Sequence, residues 1–291
     1  MSMESKTECP IFILSYGRAK KVYTHRNLRK QGYTGDIYLV CSDDDEQLDD
    51  YREAYGDMVC VFKKEDYIGK FDIGDNFDDM RVVVYARNAV FDIAKERGTE
   101  YFLVLDDDYT VFRYTSDDKG EYLSVGKKVK NLDRIIASLL KYYKSINAKT
   151  LCIAQGGDFI GGENSSVFKK KLSRKAMNWF MCSTERRFDF IGRINEDVNT
   201  YVHNGGKGDI FLTISDIRLE QFDTQSNTGG LTDFYLDGGT YVKSFYTLLF
   251  APSCVKIKMM GQTHRRLHHQ VNWKKAVPKL MSPKFRKDDK N

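Results

Sequence analysis

The first 62 residues alternate between short apolar runs and stretches of helical period. IFILSY at 11–16 predicts a buried strand, and 18–31 predicts a helix punctuated by Gly32 and Gly35. DIYLVC at 36–41 predicts a second strand, 47–55 a second helix and 58–62 a third strand. That order is the pattern of a parallel sheet covered by helices. Residues 63–80 read as loop. From 82 to 97, Val83, Ala86, Val90, Ile93 and Ala94 recur at helical spacing, and Gly98 stops the helix. YFLVL at 101–105 predicts a strand that runs straight into three aspartates. An amphipathic helix over 132–146, a strand at 150–154 and later strands at 212–218 and 255–260 complete the pattern. No internal repeat interrupts it. The expectation is an α/β fold with a mostly parallel central sheet flanked by helices. It forms one domain over 11–280, with an arm at 1–10 and a basic mobile tail at 281–291.

Composition narrows the class. With 41% hydrophobic and 13% aromatic residues, the chain carries enough apolar material for a core and is not a disordered polymer. No apolar run approaches the ~20 residues that span a bilayer, and 245–255 is broken by Pro252. Residues 1–10 hold no apolar stretch of the signal-peptide kind. The six cysteines form no CxxC and sit mostly inside apolar strings. They read as buried free thiols of a reducing compartment, the cytoplasm.

The net charge of +5 hides an asymmetry. Residues 251–291 hold eleven Lys and Arg against two Asp, a net of +9, so the preceding 250 sum to −4. A second basic knot, KKKLSRK, covers 169–175. Such segments suit a polyanion, although a solvated tail would look the same.

Chemistry is sought at strand ends, where open α/β sheets bind ligands. Ser15, Tyr16 and Arg18 follow the first strand, Asp43 the second, and Asp106, Asp107 and Asp108 the fourth. No GxGxxG or Walker-type loop supports a dehydrogenase or a P-loop enzyme. An apolar strand that delivers three carboxylates implies a counter-cation, and hard oxygens suit Mg²⁺ or Mn²⁺. Strand alternation sends Asp106 and Asp108 to one side and Asp107 to the other. Glu196 and Asp197, between apolar residues, are candidates for a general base, or else ordinary first-turn charge. His264, His268 and His269 fall within six residues beside Arg265 and Arg266. They read either as a metal ligand among phosphate-gripping arginines or as a basic nucleic-acid patch.

Several longer segments carry a resemblance: SYGRA at 15–19, FDIGDNFDDMR at 71–81, YARNAVFDIAKE at 85–96 and LDDDY at 105–109. RFDFIGRINEDVNTYV at 187–202, TQSNTGGLTDFY at 224–235 and RLHHQVNWKKAVPK at 266–279 extend it over roughly 11–280. The chain resembles the TET-associated glycosyltransferases of bacteriophages, which are similar to the base J glucosyltransferase of kinetoplastids. The resemblance implies a GT-A type nucleotide-diphospho-sugar transferase fold and a metal-dependent transferase. Its donor would be a UDP-sugar, such as UDP-glucose or UDP-N-acetylglucosamine. Its acceptor would be the hydroxyl of a 5-hydroxymethylpyrimidine in DNA, in the cytoplasm of an infected bacterium.

On that reading, donor contacts fall to Ser15, Tyr16, Arg18, Asp43, Asp75, Arg81, Arg87, Asn88, Asp106 and Asp107. Metal contacts fall to Asp106 and Asp108 with His269, His268 or His264. Asp197, with Glu196 beside it, takes the proton, which implies inversion at the anomeric carbon. Acceptor and DNA contacts fall to Tyr109, Asn227, Arg265, Arg266, Trp273, Lys274 and Lys275, with Trp179 as a further stacking candidate. No membrane and no obligate protein partner are expected. Two other readings stay open: a GT-A transferase with a protein or small-molecule acceptor, and an inactive DNA- or nucleotide-sugar-binding module.

Overall fold

The computed structural model describes residues 8–222, 242–260 and 265–278. Its first half follows the predicted alternation: β1 (Ile11–Leu14), α1 (Tyr23–Lys30), β2 (Ile37–Ser42), α2 (Leu48–Tyr55), β3 (Val59–Phe62), α3 (Val84–Glu96) and β4 (Tyr101–Asp106). Then come β5 (Tyr109–Tyr114), α4 (Leu132–Ser145), β6 (Thr150–Gln155), α5 (Ser166–Lys170), β7 (Leu172–Ser173) and β8 (Phe180–Ser183). The described chain ends with α6 (Glu196–Lys207), β9 (Phe211–Gln221), α7 (Val242–Phe250), β10 (Val255–Met260) and β11 (Arg266–Val271).

The central sheet has the order β3-β2-β1-β4-β8-β6-β9-β5, with β7 also on β9. β1, β2, β3, β4, β6 and β9 run one way, so six of the nine strands share a direction, and β5, β7 and β8 oppose them. Strand alternation splits the core in two. Phe12 and Leu14 face α3 and α6, through Ala89, Val90, Val198 and Val202. Ile11 and Ile13 face α1, α2 and α4, through Leu28, Tyr51, Ile136 and Tyr143. The result is a helix–sheet–helix sandwich. All six cysteines are buried and free, as expected.

The structure differs from the pattern-based expectation in several places, and β5 and β11 are strands that the pattern did not predict. Residues 18–31 do not form one helix: a 3-10 turn, Ala19–Lys21, precedes α1. There Arg18 N donates to Tyr51 Oη (2.9 Å) and Ala19 N to Gln47 Oε1 (3.0 Å), so side chains from α2 take these backbone donors. β8, a buried inner strand between β4 and β6, went unread, because four residues without turn punctuation give no period. The chain also joins the sheet before residue 11. Cys9 is wholly buried, its carbonyl accepts from Tyr33 Oη (2.8 Å), and Pro10 O accepts from Leu103 N (2.9 Å).

Candidate active site

The six co-directional strands end at one edge, and their C-terminal residues line one cavity of about 500 Å³. Ser15 and Tyr16 come from β1, Ser42 from β2, Phe62 and Lys64 from β3, Asp106 and Asp107 from β4, Gln155 from β6 and Gln221 from β9. β1 lies between β2 and β4, so the chain leaves it to one side and returns on the other. The cavity opens at this topological switch point. The N-terminal ends of α3 and α6 close it with Arg87, Glu196 and Asp197, and the C-terminal part adds Lys243, Arg266 and His268.

The three aspartates take different tasks. Asp107 is 3% exposed and turns under β1, accepting from Ser15 Oγ at 2.6 Å and from Arg18 Nη1 at 2.9 Å. Burial raises its carboxyl, and the Arg18 charge opposes the rise. Thr24 pins the turn, its hydroxyl donating to Asp106 O at 2.6 Å and accepting from Tyr109 N at 2.9 Å. Asp106 faces the cavity, with Oδ1 3.0 Å from Arg87 Nη2. That oxygen is buried and finds no hydrogen-bond geometry in the protein. Asp108 is half-buried and is pushed up to about 7, first by burial and then by the charges of Asp106 and Asp107.

Arg87 joins the two carboxylate groups. Its guanidinium is 4% exposed and pairs with Asp106 and, through Nε at 2.7 Å, with Glu196 Oε1. Glu196 is thereby occupied. Its neighbour Asp197 makes no salt bridge among the described residues and lines the cavity, with Oδ1 accepting from its own Val198 N at 2.7 Å. Burial, and then the Glu196 charge, push Asp197 up to about 7. Local backbone sets this presentation. Gly192 (φ +88°) and Asn195 (φ +60°) are both left-handed, and Asn195 Nδ2 donates to Thr247 Oγ1 at 2.6 Å. The chain thus enters α6 with its first two side chains toward the cavity.

These residues fit a divalent cation. Asp106 Oδ1 lies 3.0 Å from Arg87 Nη2 without hydrogen-bond geometry, and Asp108, raised first by burial and then by like charge, would be relieved by further positive charge. Among the described residues no three His, Cys, Asp or Glu side chains group as a full shell. The fit is to a hard ion that completes its shell with water and phosphate oxygens, as Mg²⁺ does.

A family model described as TET-Associated Glycosyltransferase matches residues 9–230. The chain belongs to that family. It is a glycosyltransferase, and its sheet is the α/β arrangement expected of the GT-A type. Among solved structures, it is similar to glucosyl-3-phosphoglycerate synthase from Mycobacterium tuberculosis in complex with Mg²⁺ and UDP. The identity is 7%, over 92% of this chain and 88% of that one, with a TM-score of 0.47. A galactosyltransferase, LgtC, in complex with donor and acceptor sugar analogs gives 12% identity over 62% and 60%, with a TM-score of 0.35. At these values neither likeness carries an argument. No curated protein matches the sequence.

The transferase's cavity gathers Ser15, Tyr16, Arg18, Arg81, Arg87, Asp106, Asp107, Glu196, Asp197, Arg266 and His268 of the residues singled out in the sequence. Others stand apart from it, Asp108 among them: β4 ends at Asp106, so strand alternation does not reach Asp108, which is not among the residues that line the cavity. Asp43 is exposed beside β2. Asp75 is tied to Arg193 at 2.8 Å and to the Tyr246 hydroxyl, which fixes the 71–81 segment. Asn88 exchanges two hydrogen bonds with the Phe190 backbone, of 2.8 and 3.0 Å. Tyr109 cannot stack on a base, because it is wholly buried with its hydroxyl 3.2 Å from Asn178 Oδ1. Trp179 is likewise core. Trp273 is half-exposed, but its ring already stacks on Tyr201, with centroids 6.0 Å apart. His269 lies outside the cavity lining and is half-buried, with a buried Nδ1 that finds no hydrogen-bond partner, and burial lowers it to about 4. Arg265, Lys274 and Lys275 are exposed, and Asn227 and His264 lie outside the described residues.

Sequence reading missed Lys64, Gln155, Asn178 and Lys243. Lys64 and Gln155 sit at strand ends, where the rule used for Asp106 would have found them. Lys64 is buried, pairs with Asp44 Oδ2 at 2.8 Å and lies 4.6 Å from the Tyr16 ring centroid. Asn178 donates to Gln155, a contact that needed β8 to be seen first. Lys243 carries no local sequence signal.

Proposed function

We propose that this glycosyltransferase moves a sugar from a UDP-sugar, such as UDP-glucose or UDP-N-acetylglucosamine, to the hydroxyl of a 5-hydroxymethylpyrimidine in DNA. The setting of such a reaction is the cytoplasm of a phage-infected bacterium. The observation that carries the reading is the division of labour within one cavity. Asp106 lines the cavity at the strand edge with its carboxylate paired to Arg87, while Asp197 presents from α6 a carboxyl raised by burial and by the Glu196 charge.

The ends of β1 to β3 would take the nucleotide. Tyr16, backed by Lys64, offers an aromatic face, and Ser42 offers a short hydroxyl. Arg18 and Arg81 would face the diphosphate. Asp106 and Asp108 would hold a Mg²⁺ or Mn²⁺ ion, which when bound would supply positive charge against the leaving diphosphate. Gln155 and Asn178, joined by a hydrogen bond, offer amides to sugar hydroxyls. Arg87 holds Glu196 in place and leaves Asp197 to accept the acceptor's proton. Attack opposite the diphosphate is a single displacement with inversion. A base inside a duplex cannot reach the cavity, so the acceptor is flipped or single-stranded. Arg266 and the exposed Arg265, Lys274 and Lys275 would hold its phosphates.

The test is UDP release from each UDP-sugar with Mn²⁺, with hydroxymethylated or unmodified DNA present. Stimulation by the hydroxymethylated DNA alone is expected. Equal rates with both DNAs would remove DNA as acceptor.

A further inference from the structure

The hairpin β10–β11 lies beyond the family-matched residues, yet it reaches the cavity. Its register pairs Lys256 with Gln270, Lys258 with His268 and Met260 with Arg266. Cross-strand partners share a face and residues two apart share a face, so these six side chains occupy one side of the ribbon. The other side carries Val255, Ile257, Met259, Leu267, His269 and Val271; there Val255 and Val271 pack into the core, while Met259 at the far end is exposed.

Burial supports this division. Lys256, Lys258, Arg266 and Gln270 are exposed, whereas Val255 is buried. The polar side begins in the cavity, because Arg266 and His268 line it, and runs outward to Lys258 and Lys256. Successive rungs stand ~7 Å apart, at about 3.4 Å per residue. The ribbon is therefore a row of positive charge continuous with the site, on a protein whose first 250 residues are net negative.

We infer that this face is the track for the phosphodiester backbone of a single DNA strand, with Lys256 and Lys258 gripping phosphates next to the base held in the cavity. The inference rests on the acceptor reading above and adds what holds that acceptor. Charge complementarity and continuity with the cavity name the occupant. Whether the nucleotide in the cavity is flipped or single-stranded, the phosphates that flank it on its own strand lie at the cavity mouth, where the ribbon begins.

The experiment measures binding of a fluorescent, unmodified single-stranded DNA oligonucleotide across a salt series. It compares the parent protein, K256Q/K258Q, and K141Q/K144Q, which removes equal charge from exposed positions on α4. Donor hydrolysis without DNA reports the integrity of the donor site. Two lost phosphate contacts should flatten the slope of log affinity against log salt by about 1.4, at ~0.7 per contact. Near 0.1 M salt the loss in affinity is about 10–30-fold. K141Q/K144Q should bind like the parent, and donor hydrolysis should be the same in all three. An unchanged slope in K256Q/K258Q, or the same loss in both variants, overturns the inference. The acceptor reading is judged separately, by sugar transfer from the parent protein to hydroxymethylated DNA. Transfer with an unchanged slope sinks the ribbon alone, whereas a flattened slope without transfer sinks the acceptor reading alone.

Discussion

Glu196 and Asp197 are adjacent and chemically alike, yet the fold gives them opposite tasks. Glu196 is locked to Arg87, while Asp197 faces the cavity with its carboxyl raised to about 7. Asp197→Asn should lower turnover by ~10²–10⁴-fold with donor affinity nearly intact, which calorimetry and steady-state rates separate. A base must be deprotonated, so turnover should climb with pH up to about 7 and level off above it. Below that point it should fall about tenfold per pH unit, and the Asn variant should lack this limb. Arg87 tests the other half. Arg87→Gln strands Glu196 as a buried charge and takes the partner of the half-buried Asp106, at a cost of about 3–5 kcal/mol. A lower urea midpoint with an unchanged m-value would register it.

At the scale of elements, the turn into α6 positions the carboxylates. Gly192 has φ +88°, and an added Cβ would meet the Asn199 side-chain amide and, at 2.9 Å, the Phe250 ring. Gly192→Ala should therefore destabilise by about 1–3 kcal/mol and lower turnover beyond what the stability loss explains. Thermal melts and rates on the same samples would show both. The carboxylates themselves were legible in the sequence, because an apolar run ending in three aspartates has few other uses. The Arg87–Glu196 pair was not, since it joins residues 109 apart. β8 was not legible either, and with it went Asn178, which precedes the positive-φ residue Trp179 at the entry to that strand. Parallel strands linked by helices announce themselves through local period, whereas a four-residue antiparallel insertion is fixed only by its neighbours.

The whole molecule places a carboxylate-rich strand edge next to a C-terminal part of opposite charge. Six strands converge on one edge, so donor, metal and acceptor would meet in a single cavity. Among the described residues no helix is long and apolar enough to cross a membrane. On the proposed reading, in which Asp106 and Asp108 hold an ion that binds the diphosphate, chelation should abolish transfer and Mn²⁺ should restore it. Transfer that survives exhaustive chelation would remove the metal from the account.

The central claim is tested most directly at the product. DNA carrying 5-hydroxymethylcytosine is incubated with the protein, Mn²⁺ and a panel of UDP-sugars, digested to nucleosides and weighed. The account predicts a new nucleoside heavier by one sugar residue, formed with one donor, absent without metal and strongly reduced with Asp197→Asn. Unchanged nucleosides across the panel, while the same protein moves the sugar onto a protein or small-molecule acceptor and releases UDP, would contradict it.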